Sequence, residues 1–96
     1  MSKHILRLYI AGATERSSQA LRAVARMCEE ELKGNYELEV IDVYLQPELA
    51  RRHQIVATPT LVKELPIPVR RLIGDLSNFA RLLGGQDLPA AGKAAP

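Results

Sequence analysis

The sequence predicts a small α/β fold, and three observations support this class. Two apolar runs, residues 4–10 and 36–43, have the two-residue periodicity of β-strands. Between them the apolar residues recur every three or four positions, which is typical of an amphipathic helix. With 96 residues, 47% of them hydrophobic, the chain is long enough for one domain.

Composition and charge exclude several classes of function. Thirteen basic and eleven acidic residues give a net charge of +2, which predicts no nucleic-acid partner. No run approaches the roughly 20 apolar residues of a membrane span, and the N-terminus lacks a signal-peptide pattern. We therefore expect a cytoplasmic protein with no membrane partner. One cysteine and two separated histidines predict neither an intrachain disulfide nor a metal site, and no cofactor is expected.

The first strand is expected inside the sheet rather than at its edge. Leu6 and Leu8 lie on one face of residues 4–10, and Ile5 and Tyr9 lie on the other. Apolar side chains on both faces are typical of a strand that is covered on both sides.

The first helix should follow a break in the apolar pattern at residues 11–14. Ser17 or Ser18 is the predicted N-cap, and Gly34 ends the helix in the manner of a C-cap. The buried stripe is predicted to consist of Leu21, Val24, Cys28 and Leu32. A thiol on this stripe is expected to be structural, because burial in apolar surroundings raises its pKa.

The rest of the chain is expected to add strands to the same sheet. A strand at residues 36–43 completes a right-handed βαβ unit, so the first two strands should be parallel. A short helix is predicted at 47–53 and a third strand at 61–65. Residues 69–74 fit either a fourth strand or the start of a helix, and Asp75 is the predicted cap of a last helix.

This order of elements is that of a thioredoxin-like fold. Thr58 and Pro59 stand where that fold keeps a cis-proline. The loop after the first strand, residues 12–15, has no cysteine where a nucleophilic thiol would stand. The sequence therefore predicts the fold without its dithiol chemistry.

The remaining polar candidates have ordinary structural explanations. Asp42, at the end of a strand, is expected to be a turn or cap partner, and His53 a solvated residue at a helix end. Arg70 and Arg71 fit a solvated pair as well as a contact for an acidic partner surface. No Ser-His-Asp set, paired carboxylates or glycine-rich phosphate loop can be assembled from the sequence, so binding is favoured over catalysis.

Four runs of the sequence match a known family. They are residues 8–12, 40–43, 55–61 and 65–77. The most specific are Ala-Thr-Pro-Thr-Leu and Leu-Pro-x-Pro-x-Arg-Arg-x-Ile-Gly-Asp-Leu-Ser, within the last two runs. Together they closely resemble the KaiB family of circadian clock proteins. We expect residues 1–88 to form a single KaiB-like domain and residues 89–96 to be a disordered tail.

The resemblance implies a non-enzymatic protein that binds the ATPase ring of KaiC. Family members have two packings, a resting tetramer and a thioredoxin-like monomer that binds, and these differ in the C-terminal half. The C-terminal half of this chain is therefore expected to adopt either the thioredoxin-like or the KaiB ground-state packing. Two packings would explain why residues 69–74 fit both a strand and the start of a helix. Gly85 and Asp87 match family positions that influence which of the two packings is adopted.

The resemblance also implies candidate sites. The candidate partner-binding residues are Gln54, Ile55, Ala57, Thr58, Pro59, Leu65, Pro66, Pro68, Arg70 and Arg71. Tyr9 and Tyr44 are either buried or at the interface of a homotetramer or dimer. Two other functions stay open: a redox or glutathione-linked thioredoxin-like protein that uses Cys28, and a histidine-kinase sensor module like that of SasA.

Two departures from the cyanobacterial pattern concern a further partner, KaiA. Cyanobacterial members have basic residues at the positions of Gln19 and Glu39, where they help to recruit KaiA. A neutral and an acidic residue at these positions argue against KaiA binding. They favour a homologue from outside the cyanobacteria, for which a timer or stress role is expected as readily as a self-sustained clock.

Replacing Gly85 with alanine tests the expected choice between two packings. If one packing needs a positive φ at this position, the Cβ of alanine disfavours it and the other packing gains population. We expect Gly85→Ala to contain more monomer than the unmodified chain, measured by light scattering on a sizing column. An unchanged tetramer fraction would contradict this expectation.

Overall fold

A computed structural model describes residues 3–83 as one four-stranded mixed sheet with helices on its faces. The elements are β1 (His4–Ile10), α1 (Glu15–Leu32), β2 (Tyr36–Asp42), α2 (Pro47–Arg52), β3 (Thr60–Leu65), β4 (Arg70–Ile73) and α3 (Phe79–Leu82). The strand order is β2-β1-β3-β4, with β1 parallel to β2 and β3 antiparallel to both β1 and β4. The predicted α/β class and the parallel βαβ unit are confirmed.

The central position of β1 is also confirmed, and each of its faces contacts a different apolar cluster. On one face Leu6 and Leu8 pack with side chains of α1 and α3. The buried members of this cluster are Leu6, Leu8, Val24, Cys28, Leu61, Leu76, Phe79 and Leu82. On the other face the buried Tyr9, Ile41 and Val62 pack with Val43, Leu49 and Ile55. The predicted stripe of α1 therefore faces the core, with Leu21 and Leu32 at its margin.

The N-cap of α1 is Thr14, and the prediction of Ser17 or Ser18 is wrong. Thr14 has extended backbone angles, and its Oγ1 accepts a hydrogen bond from the Ser17 amide at 3.1 Å. Ser17 lies one turn inside the helix, buried against the core side, with its Oγ 3.1 Å from the Thr14 hydroxyl. Several cap-type residues stand in this stretch, and apolar spacing alone gives the helix start only approximately.

The C-terminal half contains a strand at Arg70–Ile73, which decides between the two alternatives for this region. The predicted cap at Asp75 is wrong, because α3 begins at Phe79 and follows Asn78. Asp75 instead accepts a hydrogen bond from the Ser77 amide at 3.0 Å, which lowers the pKa of its carboxyl. An Asx turn and a helix cap use the same residue types, and only the position of the helix separates them.

Asp42 is the turn partner that the sequence predicts. Its Oδ1 accepts hydrogen bonds from the amides of Gly12 at 3.1 Å and of Tyr44 at 2.9 Å. Gly12 has a φ of 77°, and a Cβ there would lie 3.4 Å from the Tyr44 ring. One carboxylate thus fixes the loops that follow β1 and β2, at the carboxyl end of both strands.

Replacing Thr14 with alanine tests the corrected helix start. Loss of the capping oxygen leaves an amide of the first turn without its partner, which typically costs about 1 kcal/mol. We expect Thr14→Ala to lower the free energy of unfolding by about that amount in urea denaturation. Ser18→Ala is the matched control, since Ser18 is exposed and lies beyond the cap, and it should change stability by only a few tenths of a kcal/mol. A larger loss of stability in Ser18→Ala than in Thr14→Ala would instead identify Ser18 as the cap.

Candidate functional site

The α2–β3 loop, residues 53–59, holds the first group of predicted partner-binding residues. Val56 is 89% exposed and Ala57 is also exposed, whereas Ile55 packs beneath the loop against the cluster of Tyr9, Ile41 and Val62. Ile55 therefore anchors the loop, whereas the next two side chains face the solvent. Sequence reasoning did not single out Val56, because an apolar run of this length does not reveal which member faces the solvent.

Hydrogen bonds fix the shape of this loop at both ends. At its start, the amide of Gln54 donates to the Arg51 carbonyl at 3.2 Å and that of Ile55 donates to the Ala50 carbonyl at 2.9 Å. At its end, Thr60 Oγ1 donates to the Ala57 carbonyl at 2.7 Å. The solvent-facing segment between them is thus held by polar contacts that do not use its own exposed side chains.

Arg71 of β4 reaches the same loop from the neighbouring strand. Its Nη2 donates to the His53 carbonyl at 3.0 Å, and its Nη1 donates to the Gln54 carbonyl at 3.3 Å. The structure therefore brings together Gln54 and Arg71, which lie far apart in the sequence. Arg70 is directed to the opposite face of the sheet, since it pairs with Lys63 whereas Arg71 pairs with Val62.

Pro59 is buried and follows a cis peptide bond from Thr58, at the place predicted from the fold. A cavity of about 180 Å³ beside it is lined by Ile10, Ala11, Thr14, Arg16, Ser17, Thr58 and Pro59. None of these residues carries a thiol. Cys28 is fully buried on α1, and this burial raises the pKa of its thiol to about 11, with a smaller contribution from the Glu29 carboxylate.

The β3–β4 hairpin holds the second group of predicted residues. Leu65 is about half exposed, as is Val69, and the neighbouring Ile67 is 76% exposed. Beneath them Lys63 is only 1% exposed, and its Nζ donates to the carbonyl oxygens of Pro66 and Pro68. Burial, together with the nearby Arg70 charge, lowers the pKa of Lys63. Sequence reasoning missed this contact, because a lysine in a strand ordinarily indicates a solvated position.

The two predicted groups lie at opposite ends of β3. Residues 54–58 precede this strand, whereas Leu65, Pro66 and Pro68 end or follow it. A six-residue strand separates them by roughly 17 Å. The candidate residues therefore do not form one continuous pocket. Two contacts join the β4 region to the α2–β3 loop: the Arg71 side chain, and the amide of Gly74 after the strand, which donates to the Pro59 carbonyl at 2.8 Å.

Further apolar side chains are exposed at the loop end of the sheet. Tyr44 is 74% exposed and Leu45 is 79% exposed, directly after β2. The carboxyl end of β2 and the start of β3 lie at the same end of the sheet, because β1 pairs with both there. Tyr44, Leu45 and Val56, which we call the apolar end, are thus all exposed at this end of the sheet.

The two tyrosines assigned to a possible oligomer interface have different environments. Tyr9 is fully buried inside the chain, whereas Tyr44 belongs to the exposed apolar end. In this packing only Tyr44 is accessible to a second copy. Gly85, Asp87 and the tail at 89–96 lie outside the described residues.

Gln19 and Glu39, the two positions at which the sequence departs from the cyanobacterial pattern, both form local polar contacts. Glu39 on β2 forms an ion pair with Arg7 at 3.3 Å, and Gln19 on α1 donates to the Glu15 carboxylate at 3.2 Å. Both side chains are solvent-accessible. The surface at these two positions is therefore neutral and acidic, as the sequence implied.

Over residues 3–83 no cluster of three or more potential metal ligands occurs. Within the same range, none of the helices combines the length and apolar character needed to cross a bilayer.

Comparison with known proteins identifies the family. The profile described as KaiB domain matches residues 7–87. A relative named circadian clock protein KaiB3, from Synechocystis, is 46% identical over 92 residues, which cover 96% of this chain and 90% of the relative. The circadian clock oscillator protein KaiB of Thermostichus vulcanus is 53% identical over 85 residues, which cover 88% and 79%.

Solved structures show the same architecture at lower identity. The N-terminal domain of Synechococcus elongatus SasA has a TM-score of 0.77 and 24% identity, covering all of this chain and 91% of that domain. The thioredoxin Deadhead from Drosophila melanogaster has a TM-score of 0.70 and 18% identity, covering 85% and 79%. These likenesses establish a thioredoxin-like fold, and the profile and the sequence relatives establish that the chain belongs to the KaiB family of circadian clock proteins.

Proposed function

We propose that this protein is a non-enzymatic regulator that binds the ATPase ring of a KaiC-type partner in a circadian clock or timer. The observation that carries the proposal is the apolar end of a KaiB-family domain, where Tyr44, Leu45 and Val56 are each at least 74% exposed. Large apolar side chains presented together on a small domain mark an interaction surface.

The α2–β3 loop is the primary contact in this proposal. Burying an exposed valine against a partner contributes roughly 1.5–3 kcal/mol. Because hydrogen bonds already fix the backbone on both sides of Val56, little conformational entropy is lost when the loop docks. The β3–β4 hairpin, with Ile67 exposed, is the second candidate contact and lies at the far end of β3.

We infer that the described packing is the binding-competent one and that a second packing of the C-terminal half exists at rest. Two features support this inference. The C-terminal elements are short, since β4 and α3 have four residues each, so little regular structure must be rebuilt. The second feature is the family resemblance, which implies a different packing of the C-terminal half in a homotetramer. Tyr44 is exposed and is therefore accessible for a tetramer interface. We also propose a cytoplasmic location, and the residues at positions 19 and 39 argue against KaiA as a partner.

The rival functions have less support from the molecule. A redox or glutathione-linked activity needs an accessible thiolate, and Cys28 is buried with a raised pKa. A kinase sensor role would follow from the likeness to the SasA domain, but at 24% identity that likeness concerns the fold.

Charge introduced at either end of β3 distinguishes the two candidate contacts. We expect Val56→Glu to weaken binding to a KaiC-type ATPase at least tenfold, because a carboxylate cannot be buried in an apolar interface without a partner. Ile67→Glu is the matched variant at the hairpin, where Ile67 is also largely exposed, and it should change affinity less than threefold. Both variants should keep the native circular dichroism spectrum. Light scattering on a sizing column after long incubation with ATP reports the complex.

The relative loss of affinity in the two variants identifies which segment contacts the partner. A larger loss with Ile67→Glu would move the contact to the hairpin. If the unmodified chain fails to bind at every incubation time and in every nucleotide state, the proposed function itself is wrong.

Thiol reactivity tests the rival redox function. With a pKa of about 11, on the order of one Cys28 thiol in a thousand is ionised at pH 8, and burial blocks access to it. We expect labelling by a thiol reagent to be at least a hundredfold slower in the native protein than in guanidinium. Above about pH 9 the unfolded thiol loses its proton before the folded one, so stability should fall as the pH rises towards 11. Rapid native labelling would favour the redox function.

A further inference from the structure

Arg71 connects the last strand of the sheet to the backbone that follows α2. The carbonyl oxygens of His53 and Gln54 lie just past a helix of six residues and accept from its guanidinium at 3.0 and 3.3 Å. Carbonyls at a helix end need partners from outside the helix, and a cation is favoured there by the helix dipole. The planar guanidinium binds the two neighbouring oxygens through two separate nitrogens held in a fixed fork, whereas a lysine has a single ammonium nitrogen.

The bonded segment is a turn that an L-residue adopts at a cost. Gln54 has a φ of 56°, in the left-handed region. The amides of Gln54 and Ile55 donate to the carbonyls of Arg51 and Ala50. Arg71 binds the carbonyls of His53 and Gln54, so both amides and carbonyls of the turn have partners. Val56, the most exposed large apolar residue of the apolar end, follows directly.

The contact also depends on how β4 is paired. Arg71 lies opposite Val62, whose side chain is in the cluster beneath α2, and Arg70 lies opposite Lys63 on the other face. A shift of β4 by one residue would reverse the faces of both arginines. The bonds to His53 and Gln54 thus require Arg71 on the face that it occupies in this pairing of β4 with β3, and a one-residue slip would remove it from that face.

We propose that Arg71 is a positioning residue that holds the α2–β3 loop in its binding shape, and that it does so only while β4 is paired with β3. In this role Arg71 acts through the carbonyls of His53 and Gln54 and need not touch the partner. The partner's identity rests on the function proposed above. The two hydrogen bonds from Arg71 to the carbonyls of His53 and Gln54, which we call the clamp, are a property of the isolated chain.

Hydrogen exchange of the isolated chain tests the clamp without a partner. We expect the amides of Gln54 and Ile55 to exchange on the order of fivefold faster in Arg71→Gln, because the turn opens more often. Arg71→Lys keeps the charge but replaces the fixed two-nitrogen fork with one ammonium nitrogen, so its exchange should be intermediate. Arg70→Gln is the matched control on the opposite face and should leave these two amides unchanged.

Binding of the same variants to a KaiC-type ATPase completes the test. The proposal predicts that affinity falls in the order of the exchange rates, with Arg71→Gln weakest and Arg71→Lys between it and the unmodified chain. Reduced binding of Arg71→Gln with unchanged exchange would mean that Arg71 contacts the partner directly. Faster exchange with unchanged binding would mean that the partner does not need the clamped loop. Either result overturns the proposal. Failure of the unmodified chain to bind would instead refute the proposed function, and the exchange data would still decide on the clamp.

Discussion

The antiparallel register of β3 determines where each part of the candidate site lies. Pairing with β1 places Val62 on the face that α2 covers and Lys63 on the face that α1 and α3 cover. Pairing with β4 then directs Arg71 and Arg70 to the same two faces. Because side chains alternate strictly along a strand, a slip of one residue would exchange all of these environments. The positions of the α2–β3 loop, the β3–β4 hairpin and the contacts of Lys63 and Arg71 thus depend on the backbone hydrogen bonds that β3 forms with β1 and β4.

Two cations of this sheet have partners that are backbone carbonyls rather than carboxylates. Lys63 binds Pro66 and Pro68 in the hairpin, where the proline nitrogens cannot donate and the carbonyls need donors from elsewhere. Arg71 does the same for the turn after α2. In each case a side chain on a β-strand binds the backbone of a loop or turn and fixes its shape.

Periodicity was sufficient to predict the regular elements and insufficient for the contacts between them. The βαβ unit, the buried stripe of α1 and the turn role of Asp42 follow from local patterns, and all are confirmed. The capping of α1 by Thr14 and the burial of Lys63 depend on backbone geometry and on strands distant in sequence. The partner loop came from the family resemblance, because no local pattern distinguishes Val56 from a core valine.

If the proposed Arg71 contact and the proposed second packing both hold, partner binding and C-terminal packing share a free energy. A partner can shift an equilibrium between two packings only by the difference in its affinity for them. The apolar end itself consists of residues from the N-terminal half and the α2–β3 loop, which by themselves need not differ between two packings of β4 and α3. If Arg71 shapes the loop, the affinity of this surface differs between packings even when the partner never touches β4. Contacts at the loop then suffice to draw the chain towards the packing in which β4 is paired.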